Sequence, residues 1–238
     1  MLDTTLDNSP PLLKGEVHLW GISLDTPGQL TEQCKSFLSK KEKQRISYFK
    51  FEKVQNDFII CQGILRYLLS RYMNKTPHAI QIERHKKGKP FVPDAPSLYF
   101  NMSNSGNMCV YAFSADGEIG IDLEQIRELP DLDELIQKNF TTKEISLIAQ
   151  NPENKLKRFF QFWTFKESYL KAIGEGMRLT PDKLEFTMEG ETIKLQGING
   201  IFETEDWNFS VFLPAKNYTG ALAYQGKEIK IKEFWNKT

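Results

Sequence analysis

Three strand-like segments follow one another near the middle of this chain, and no helical pattern separates them. Leu98–Met102, Cys109–Phe113 and Glu118–Glu124 are the three segments. Turn residues stand between them, Ser103–Gly106 after the first and Asp116–Gly117 after the second. Short connections of this composition are typical of β-hairpins. The middle of the chain therefore predicts a cluster of paired strands.

Strong helical patterns lie on either side of this cluster. Phe58–Tyr72 has an apolar face with helical spacing, and Lys155–Ile173 is the longest helical segment, ended by Gly174. After Pro181 the chain returns to short strand-like pieces. Clustered strands with separate helices predict an α+β fold. The sequence contains no convincing internal repeat.

Shorter helices are predicted between the strand cluster and the longest helix. Thr141 and Glu144 have the spacing of a capping box and predict a helix near 142–150. Leu132–Phe140 carries apolar residues with helical periodicity, for which core packing is the simpler of two interpretations; the other is a contact surface for a partner protein. A charged segment, Lys40–Tyr48, is also predicted to be helical.

Composition excludes several classes of function. The 238 residues include 31 Lys and Arg and 31 Asp and Glu, so the net charge argues against a nucleic-acid or membrane-surface protein. No apolar segment approaches the roughly 20 residues of a membrane span, and we expect no signal peptide. The scattered cysteines and histidines do not have the spacing of a zinc site or a disulfide framework. A reducing cytoplasm fits this pattern best.

A pair of acidic residues gives the first chemical signal. Asp122 and Glu124 stand two apart in a strand-like segment that begins at Gly120. Such residues share a face, with their side chains about 6–7 Å apart along the chain. The two carboxylates repel each other unless a cation or base lies between them, and Mg²⁺ is one solution. From this pattern alone, a solvated strand end is the more common explanation.

An acid and a base on the longest helix give the second signal. Glu167 and Lys171 are four residues apart, so they share one helix face. Taken singly, they are most simply an exposed ion pair. The aromatic residues of the same segment are interpreted mainly as core; they are Phe159, Phe160, Phe162 and Trp163.

Together the two signals resemble the paired signatures of the 4′-phosphopantetheinyl transferases. Gly120–Glu124 matches Gly-x-Asp-x-Glu, and Trp163–Lys171 matches Trp-x-x-Lys-Glu-x-x-x-Lys, with Lys166 and Glu167 in the middle. The segments Gly88–Pro90 and 100–106 are also similar to the family. The resemblance covers residues 16–178 well, and it is to the full-length, two-halved type of the family.

The resemblance implies a fold and an activity. The expected architecture is two similar α+β subdomains, 1–115 and 116–238, related by a pseudo-twofold axis, with coenzyme A in the cleft between them. The expected reaction transfers 4′-phosphopantetheine from coenzyme A to a serine of an apo acyl or peptidyl carrier protein and releases 3′,5′-ADP. It would depend on Mg²⁺ and be carried out by a cytoplasmic monomer.

The resemblance also assigns the reacting residues. Asp122, Glu124 and Glu167 are the expected Mg²⁺ ligands. Glu167 is the expected base for the acceptor serine, directly or through water, and burial near other carboxylates would raise its pKa. Lys171 is expected to neutralise charge on the transferred phosphate, since positioning and electrostatics dominate phosphoryl transfer.

Contacts with coenzyme A are assigned in the same way. Lys89 and Pro90 match the nucleotide-contacting turn, Ser103 and Asn104 the phosphate-contacting turn, and Arg45 a position for the 3′-phosphate. Asp122 and Lys171 are also expected to contact the coenzyme at its diphosphate.

Several positions depart from the family pattern. Asn104 stands where the family has His, and it cannot carry positive charge. Asp57 and Glu42 stand where the family has basic residues, and their negative charge would repel a phosphate. These departures predict weaker binding of the 3′-phosphate and leave the magnesium ligands untouched. Arg66 occupies a usually basic position, for which a structural ion pair is an alternative role.

Two other functions stay open. One is a non-catalytic module that binds a carrier protein or coenzyme A, which the three departures motivate. The other is a Mg²⁺-dependent phosphodiester hydrolase that releases phosphopantetheine without a protein acceptor. The intact acidic residues and Lys171 argue against the first, because a binding module has no physical need for clustered carboxylates.

Overall fold

The computed structural model contains both helices and strands. It describes residues 10–25, 28–150, 152–174, 179–189, 192–199, 207–226 and 229–235. In chain order the helices are α1 Gly28–Phe37, α2 Lys40–Ile46, α3 Glu52–Met73, α4 Leu132–Asn139, α5 Thr142–Ala149 and α6 Lys155–Ile173. The strands are β1 Glu16–Ser23, β2 Glu83–Arg84, β3 Pro90–Phe91, β4 Tyr99–Ser105, β5 Met108–Ser114, β6 Ile119–Gln125, β7 Leu184–Glu189, β8 Thr192–Ile198, β9 Trp207–Phe212, β10 Tyr218–Gln225 and β11 Lys230–Trp235. The predicted α+β class is confirmed.

The two main sheets share one topology. In the first, β1 is followed by helices and by the hairpin β4–β5, and the sheet order is β1-β5-β4. In the second, β6 is followed by helices and by β9–β10, and the order is β6-β10-β9. All these pairs are antiparallel. The repeated order supports the predicted pair of similar subdomains, although the sequence contains no matching repeat.

The last strand departs from the predicted division of the chain. β11 pairs in parallel with β1, from Glu16 opposite Lys230 to Gly21 opposite Trp235. It is therefore the edge strand of the first sheet. The expected boundary between 1–115 and 116–238 places β11 with the second half, whereas its hydrogen bonds belong to the first. The rest of that division stays a prediction.

A buried ion pair joins α2 to α3 in the first half. Ser39 and Glu42 form a capping box at the start of α2. The Glu42 carboxylate also accepts a hydrogen bond of 2.6 Å from Nε of Arg66, which is 3% exposed. Arg66 donates two more bonds of 2.9 Å to the carbonyl oxygens of Pro77 and Ile80. The structural alternative for Arg66 accounts for all of these contacts.

The second half repeats this arrangement. Thr141 and Glu144 form the predicted capping box at the start of α5. The Glu144 carboxylate accepts a bond of 2.7 Å from Lys166 in α6, and both side chains are fully buried. Lys166 also donates to the carbonyl oxygens of Pro181 at 2.8 Å and Leu184 at 2.7 Å. Each long helix is thus tied by one buried cation to a capping glutamate and a following 3₁₀ turn.

The turn predicted between the first two central strands lies further along the chain. β4 extends to Ser105, so Ser103 and Asn104 are strand residues and the reversal occurs at Gly106 and Asn107. Gly106 has a φ of 56°, which glycine adopts without strain. The sequence also predicts a short strand over Ile80–Arg84, of which the structure forms only β2.

The two strongest helix predictions are confirmed. The longest helix spans Lys155–Ile173 as predicted, and it ends at Gly174, whose φ of 65° is left-handed. The apolar residues of the segment around α4 pack mainly in the buried cluster formed with Phe159, Phe160 and Phe162 of α6, as predicted. Among the described residues, none of the helices is long and apolar enough to cross a membrane. Gly176, which the sequence predicts to help end the longest helix, and Gly190, which it predicts in a later turn, lie outside the described residues.

Candidate active site

Close packing of β6 against α6 builds the site. A Cβ atom on Gly120 would overlap the carbonyl oxygen of Ser168 and the backbone of Ala172, so only glycine fits at this position. The close approach brings the Asp122 end of β6 beside Lys171 in α6, whose ammonium lies 2.7 Å from the Asp122 carboxylate. This explains why a glycine stands two residues before the first acid.

Asp122 is the most deeply buried acid of the site, at 4% exposure. Its Oδ1 accepts hydrogen bonds of 2.7 Å from Lys171 and 2.9 Å from the hydroxyl of Ser103. Lys171 also lies 2.9 Å from that hydroxyl, so the three groups form a closed triangle. Oδ2 of Asp122 is buried and has no hydrogen-bond partner among the described residues.

Glu124 lies two residues further along the same strand. Its Oε2 accepts a hydrogen bond of 2.7 Å from the hydroxyl of Ser105. Burial is the main cause that raises the pKa of Glu124, and the negative charge of Asp122 raises it further. The hydrogen bond from Ser105 offsets only part of this effect. Glu124 is therefore an acid whose charge is poorly stabilised by the protein alone.

Glu167 reaches the same group from α6. Its pKa is raised first by burial and then by Asp122, and Glu124 adds a smaller effect in the same direction. Lys171 opposes these effects. The three predicted acids thus lie within electrostatic range of one another, although Glu167 is more than 40 residues from Asp122 and Glu124 in the chain.

The donor set fits a hard divalent cation in its chemistry. Asp122 offers a buried oxygen that has no partner in the described part of the chain, and Glu124 and Glu167 have raised pKa values that a nearby cation would reverse. Within the described part of the chain, however, no three acidic, histidine or cysteine side chains stand close enough to form a metal site by themselves. Mg²⁺ is commonly held by one or two carboxylates with substrate phosphates and water, so an incomplete protein ligand set is compatible with it.

A cleft of about 670 Å³ opens beside these residues. The first half contributes Gln62 and Leu65 from α3, and Asn101 from β4. The second half contributes Glu167 and Lys171. A cleft of this size and position can hold a substrate as large as a nucleotide coenzyme, with the acid–base cluster at its wall.

Lys89 and Pro90 line the cleft, as expected of nucleotide contacts. The Lys89 ammonium, however, donates to the Glu118 carboxylate and to the carbonyl oxygens of Ile119 and Ala172. Burial lowers its pKa, and Glu118 raises it in opposition. In this arrangement Lys89 joins the two halves of the protein, so a contact with phosphate would require it to leave these partners.

Lys171 also lines the cleft, whereas Arg45, Ser103 and Asn104 do not. Arg45 is exposed and stacks over the ring of Phe58, with 5.3 Å from its guanidinium carbon to the ring centroid. Asn104 is exposed on β4. Ser103 is buried, and its hydroxyl contacts Asp122 and Lys171. The roles of these residues toward coenzyme A stay predictions.

Two of the departures from the family pattern have protein partners. Glu42 pairs with Arg66 and caps α2. Asp57 pairs with Lys53 at 3.0 Å, one helical turn away. Their charges are therefore partly compensated, so they repel a nearby phosphate less than their sequence positions suggest.

The sequence analysis missed two polar residues of β4. Asn101 accepts a hydrogen bond of 3.3 Å from the backbone of Ile121, and Ser105 holds Glu124. Asn101, Ser103 and Ser105 alternate along one strand face that lies against β6. The alternation of these polar residues is visible in the sequence. It was not used because residues 103–106 were predicted to form a turn and not a strand.

Comparison with known proteins gives a consistent result for both halves. The family model for the 4′-phosphopantetheinyl transferase superfamily matches residues 118–223, and the model for the N-terminal part of 4′-phosphopantetheinyl transferases matches residues 27–116. The 4′-phosphopantetheinyl transferase HetI of Nostoc sp. (strain PCC 7120) is 35% identical over 244 residues, covering 99% of this chain and 100% of the relative. The transferase Sfp of Bacillus subtilis (strain 168) is 29% identical over 70% of this chain and 74% of its own length.

A solved structure gives a weaker match. The holo-[acyl-carrier-protein] synthase of Thermotoga maritima aligns with 45% of this chain and 61% of its own, at a TM-score of 0.39 and 17% identity. The two family models meet between residues 116 and 118, next to the expected boundary of the halves.

Proposed function

Because this chain belongs to the 4′-phosphopantetheinyl transferase family and is of its two-halved type, we propose that it transfers phosphopantetheine from coenzyme A to a serine of an apo carrier protein. One observation carries the proposal. Lys171 and Glu167, from one helix, line a cleft at the point where Lys171 contacts the buried acid Asp122. A cation and a base beside a large cleft are the parts that phosphoryl transfer requires.

Mg²⁺ is part of the proposal. The ion would be held by Asp122, through the oxygen that has no partner among the described residues, and by Glu124 and Glu167. When bound, Mg²⁺ would supply charge compensation for the diphosphate of coenzyme A. The raised pKa values of Glu124 and Glu167 support this assignment, because a protein does not usually bury like charges together without a counter-charge.

Glu167 acts as the base in the proposed reaction. Burial raises its pKa, which brings a carboxylate nearer to the pH at which general bases work best. The serine oxygen attacks the phosphorus that carries the pantetheine arm, and the serine proton passes to Glu167 directly or through water. The bond between that phosphorus and the leaving phosphate oxygen breaks, and 3′,5′-ADP departs.

Lys171 stabilises the charge that develops on the transferred phosphate. Its ammonium is held between Asp122 and Ser103 at the wall of the cleft, so its position is fixed before substrate binds. Preorganised charge of this kind costs no reorganisation during the reaction. Ser103 therefore orients the lysine in this proposal.

The same proposal extends to partners and setting. The partners are coenzyme A and an apo acyl or peptidyl carrier protein. Both walls of the cleft come from one chain, which supports action as a monomer. The three cysteines are buried free thiols, which agrees with a reducing cytoplasm.

A single incubation distinguishes the proposed reaction from its rivals. The protein is mixed with coenzyme A, Mg²⁺ and one of three apo carrier domains (acyl, peptidyl or aryl), and intact-protein mass is measured. The transferase modifies at least one carrier by the mass of phosphopantetheine. Cleaved coenzyme A with unmodified carriers identifies a hydrolase. No change in either reactant identifies a binding module.

A further inference from the structure

Two large aromatic side chains are exposed at the corner between α2 and α3. Tyr48 is 79% exposed and Phe51 is 71% exposed, and Val54 beside them is 43% exposed. We call Tyr48, Lys50, Phe51, Lys53 and Val54 the α2–α3 corner. Single exposed apolar residues are common on protein surfaces, but a cluster of large ones marks an interaction site.

The fold does not require an aromatic side chain at Phe51. It occupies the N-cap position of α3, where its side chain makes no capping hydrogen bond. Ser, Thr, Asp and Asn stabilise helices at this position, and large apolar residues do not. Phe51 is neither buried nor a cap, so it contributes nothing visible to folding. By contrast, its neighbour Phe49 packs on Phe58 with ring centroids 5.1 Å apart.

The corner is held in a fixed conformation by its neighbours. Nε2 of Gln55 donates a hydrogen bond of 2.9 Å to the carbonyl oxygen of Phe49. Arg45 stacks over Phe58 from the other side. Aromatic side chains on a fixed backbone lose little entropy when they bind, which suits them as anchors in an interface.

The surface around the corner is strongly basic, although the whole chain carries no net charge. Residues 40–54 include six basic residues and two acidic ones, Glu42 and Glu52. Glu42 is already paired with the buried Arg66. Lys53 is paired with Asp57. The remaining positive charge is exposed on Lys40, Lys41, Lys43, Arg45 and Lys50. A partner that covers this surface must therefore be acidic.

The corner lies at the start of α3, the helix that also contributes to the cleft. Phe58 supports Arg45 and Phe49, and Gln62 stands four residues further along α3 and lines the cleft. Phe51 and Gln62 are eleven residues apart along α3, a rise of about 16 Å, whereas a small protein domain is roughly 30 Å across. A domain bound at the corner can therefore also reach the cleft.

We propose that the α2–α3 corner binds the carrier protein, through apolar contacts with Tyr48 and Phe51 and through attraction between the surrounding lysines and acidic residues of the carrier. This inference depends on the proposed function for the identity of the partner. An aromatic anchor surrounded by charge is the usual composition of an energetically important contact, and the charges increase the rate of encounter. The corner thus holds the acceptor domain while its serine enters the cleft.

The test measures binding separately from transfer. Each of the three apo carrier domains tested above is labelled fluorescently and titrated with the protein in the absence of coenzyme A, and the anisotropy of the domain that binds most tightly gives Kd. The test variant is Lys50→Glu with Phe51→Ser. The matched control is Leu213→Ser with Lys216→Glu, which changes an exposed leucine and an exposed lysine of the second half. Thermal unfolding checks that both variants are folded.

We expect the test variant to raise Kd at least about fivefold and the control to leave it within about twofold. The Tm of the test variant should be unchanged or higher, because Ser is a better N-cap than Phe. In the transfer assay, KM for the carrier should rise while KM for coenzyme A stays constant. Higher salt should weaken binding of the wild type more than binding of the variant.

Equal Kd values for wild type and test variant overturn the proposal, and so does failure of the wild type to bind the carrier. Loss of binding to phosphatidylglycerol vesicles in the variant, with an unchanged carrier Kd, also overturns it and assigns the corner to a membrane. If the variant loses carrier binding but the wild type transfers nothing, the docking surface stands and the proposed function fails.

Discussion

The two oxygen atoms of Asp122 have different surroundings. Oδ1 accepts hydrogen bonds from Lys171 and Ser103, whereas Oδ2 is buried without a partner among the described residues. A buried polar atom without a partner costs free energy, so such atoms are rare away from functional sites. This asymmetry at one residue supports the interpretation of the cluster as a binding site and not as a structural ion pair.

Replacement of Glu167 by Gln is expected to lower the transfer rate at least about 100-fold in a folded protein, because an amide cannot take up the serine proton. It should also raise Tm at pH 7.5 by roughly 2–4 °C. Burial raises the pKa of Glu167, so at neutral pH the folded protein holds a poorly solvated carboxylate. A raised pKa in the folded state means that this penalty declines as pH falls. The gain in Tm should therefore shrink at pH 4.5.

The measurements are carrier modification by mass spectrometry and thermal unfolding at the two pH values. Glu32→Gln on α1 is the control, since Glu32 is exposed and far from the cleft residues in the chain. Normal turnover in Glu167→Gln would remove the proposed base. A Tm gain that grows at low pH would show that the carboxylate is better stabilised in the folded state than we infer.

Two kinds of contact position the helices and strands of this site, a close backbone approach and a buried ion pair. β6 approaches α6 closely because Gly120 has no side chain. α6 is also tied to α5 by the buried pair of Lys166 and Glu144, as α3 is tied to α2 by Arg66 and Glu42. The glycine contact sets the distance between helix and strand, and the ion pair sets the position of the helix along its length.

Gly120→Ala should separate β6 from α6, because the added Cβ overlaps the backbone of Ser168 and Ala172 and neither can move freely. We expect a loss of at least about 2 kcal/mol in the free energy of unfolding and a larger relative loss of transfer. Gly117→Ala is the control, since its Cβ would lie 3.5 Å from Gln225 in ordinary contact. Urea unfolding and the transfer assay check both, and a fully active Gly120→Ala protein would contradict the close approach.

Lys166→Met should lower the free energy of unfolding by roughly 3–5 kcal/mol, because it leaves the buried carboxylate of Glu144 without its partner. The double variant with Glu144→Gln should recover a large part of this loss, since an uncharged side chain is cheaper to bury. A double-mutant cycle in urea measures the coupling between the two residues. Additive losses would show that the lysine and the glutamate do not stabilise each other.

At the scale of the whole molecule, the strand β11 connects the second half of the chain back to the first sheet. β11 adds to the first sheet beside β1, and Phe234 stacks on Trp20 with ring centroids 4.2 Å apart. Trp235 fills the space beside Gly21, where a Cβ would overlap its ring. The end of the chain thus stabilises the half that begins it, which couples the two halves in addition to the contacts of Lys89.

Truncation after Gly226 is expected to destabilise the protein strongly, because it removes an edge strand and uncovers the buried Trp20. We expect Tm to fall by about 10 °C or more and binding of a hydrophobic dye such as ANS to increase. Transfer should be lost at temperatures where the full chain is active. A truncated protein with unchanged Tm and dye binding would show that β11 contributes little to the first half.

Much of the fold was predictable, because local physics determines it. The limits of α6 and the capping box of α5 follow from residues that are neighbours in sequence. The pairing of β11 with β1 was not predictable in this way, since more than 200 residues separate the partners. No local signal in a short strand specifies which of two sheets it joins.

Local spacing is enough to identify which acids and bases can form the site, since Gly120–Glu124 and the pair of Glu167 and Lys171 place them on common faces of a strand and a helix. Which of these charges are available for chemistry depends on contacts in the folded molecule. Lys166 and Lys171 are identical side chains on one helix, yet the first is fully buried against Glu144 and the second lines the cleft. Lys89, which is expected at the nucleotide, lines the cleft and is at the same time held between the two halves. The physical reason is that burial and partners are set by contacts between segments far apart in the chain, and these control whether a charge stabilises the fold or remains free to act.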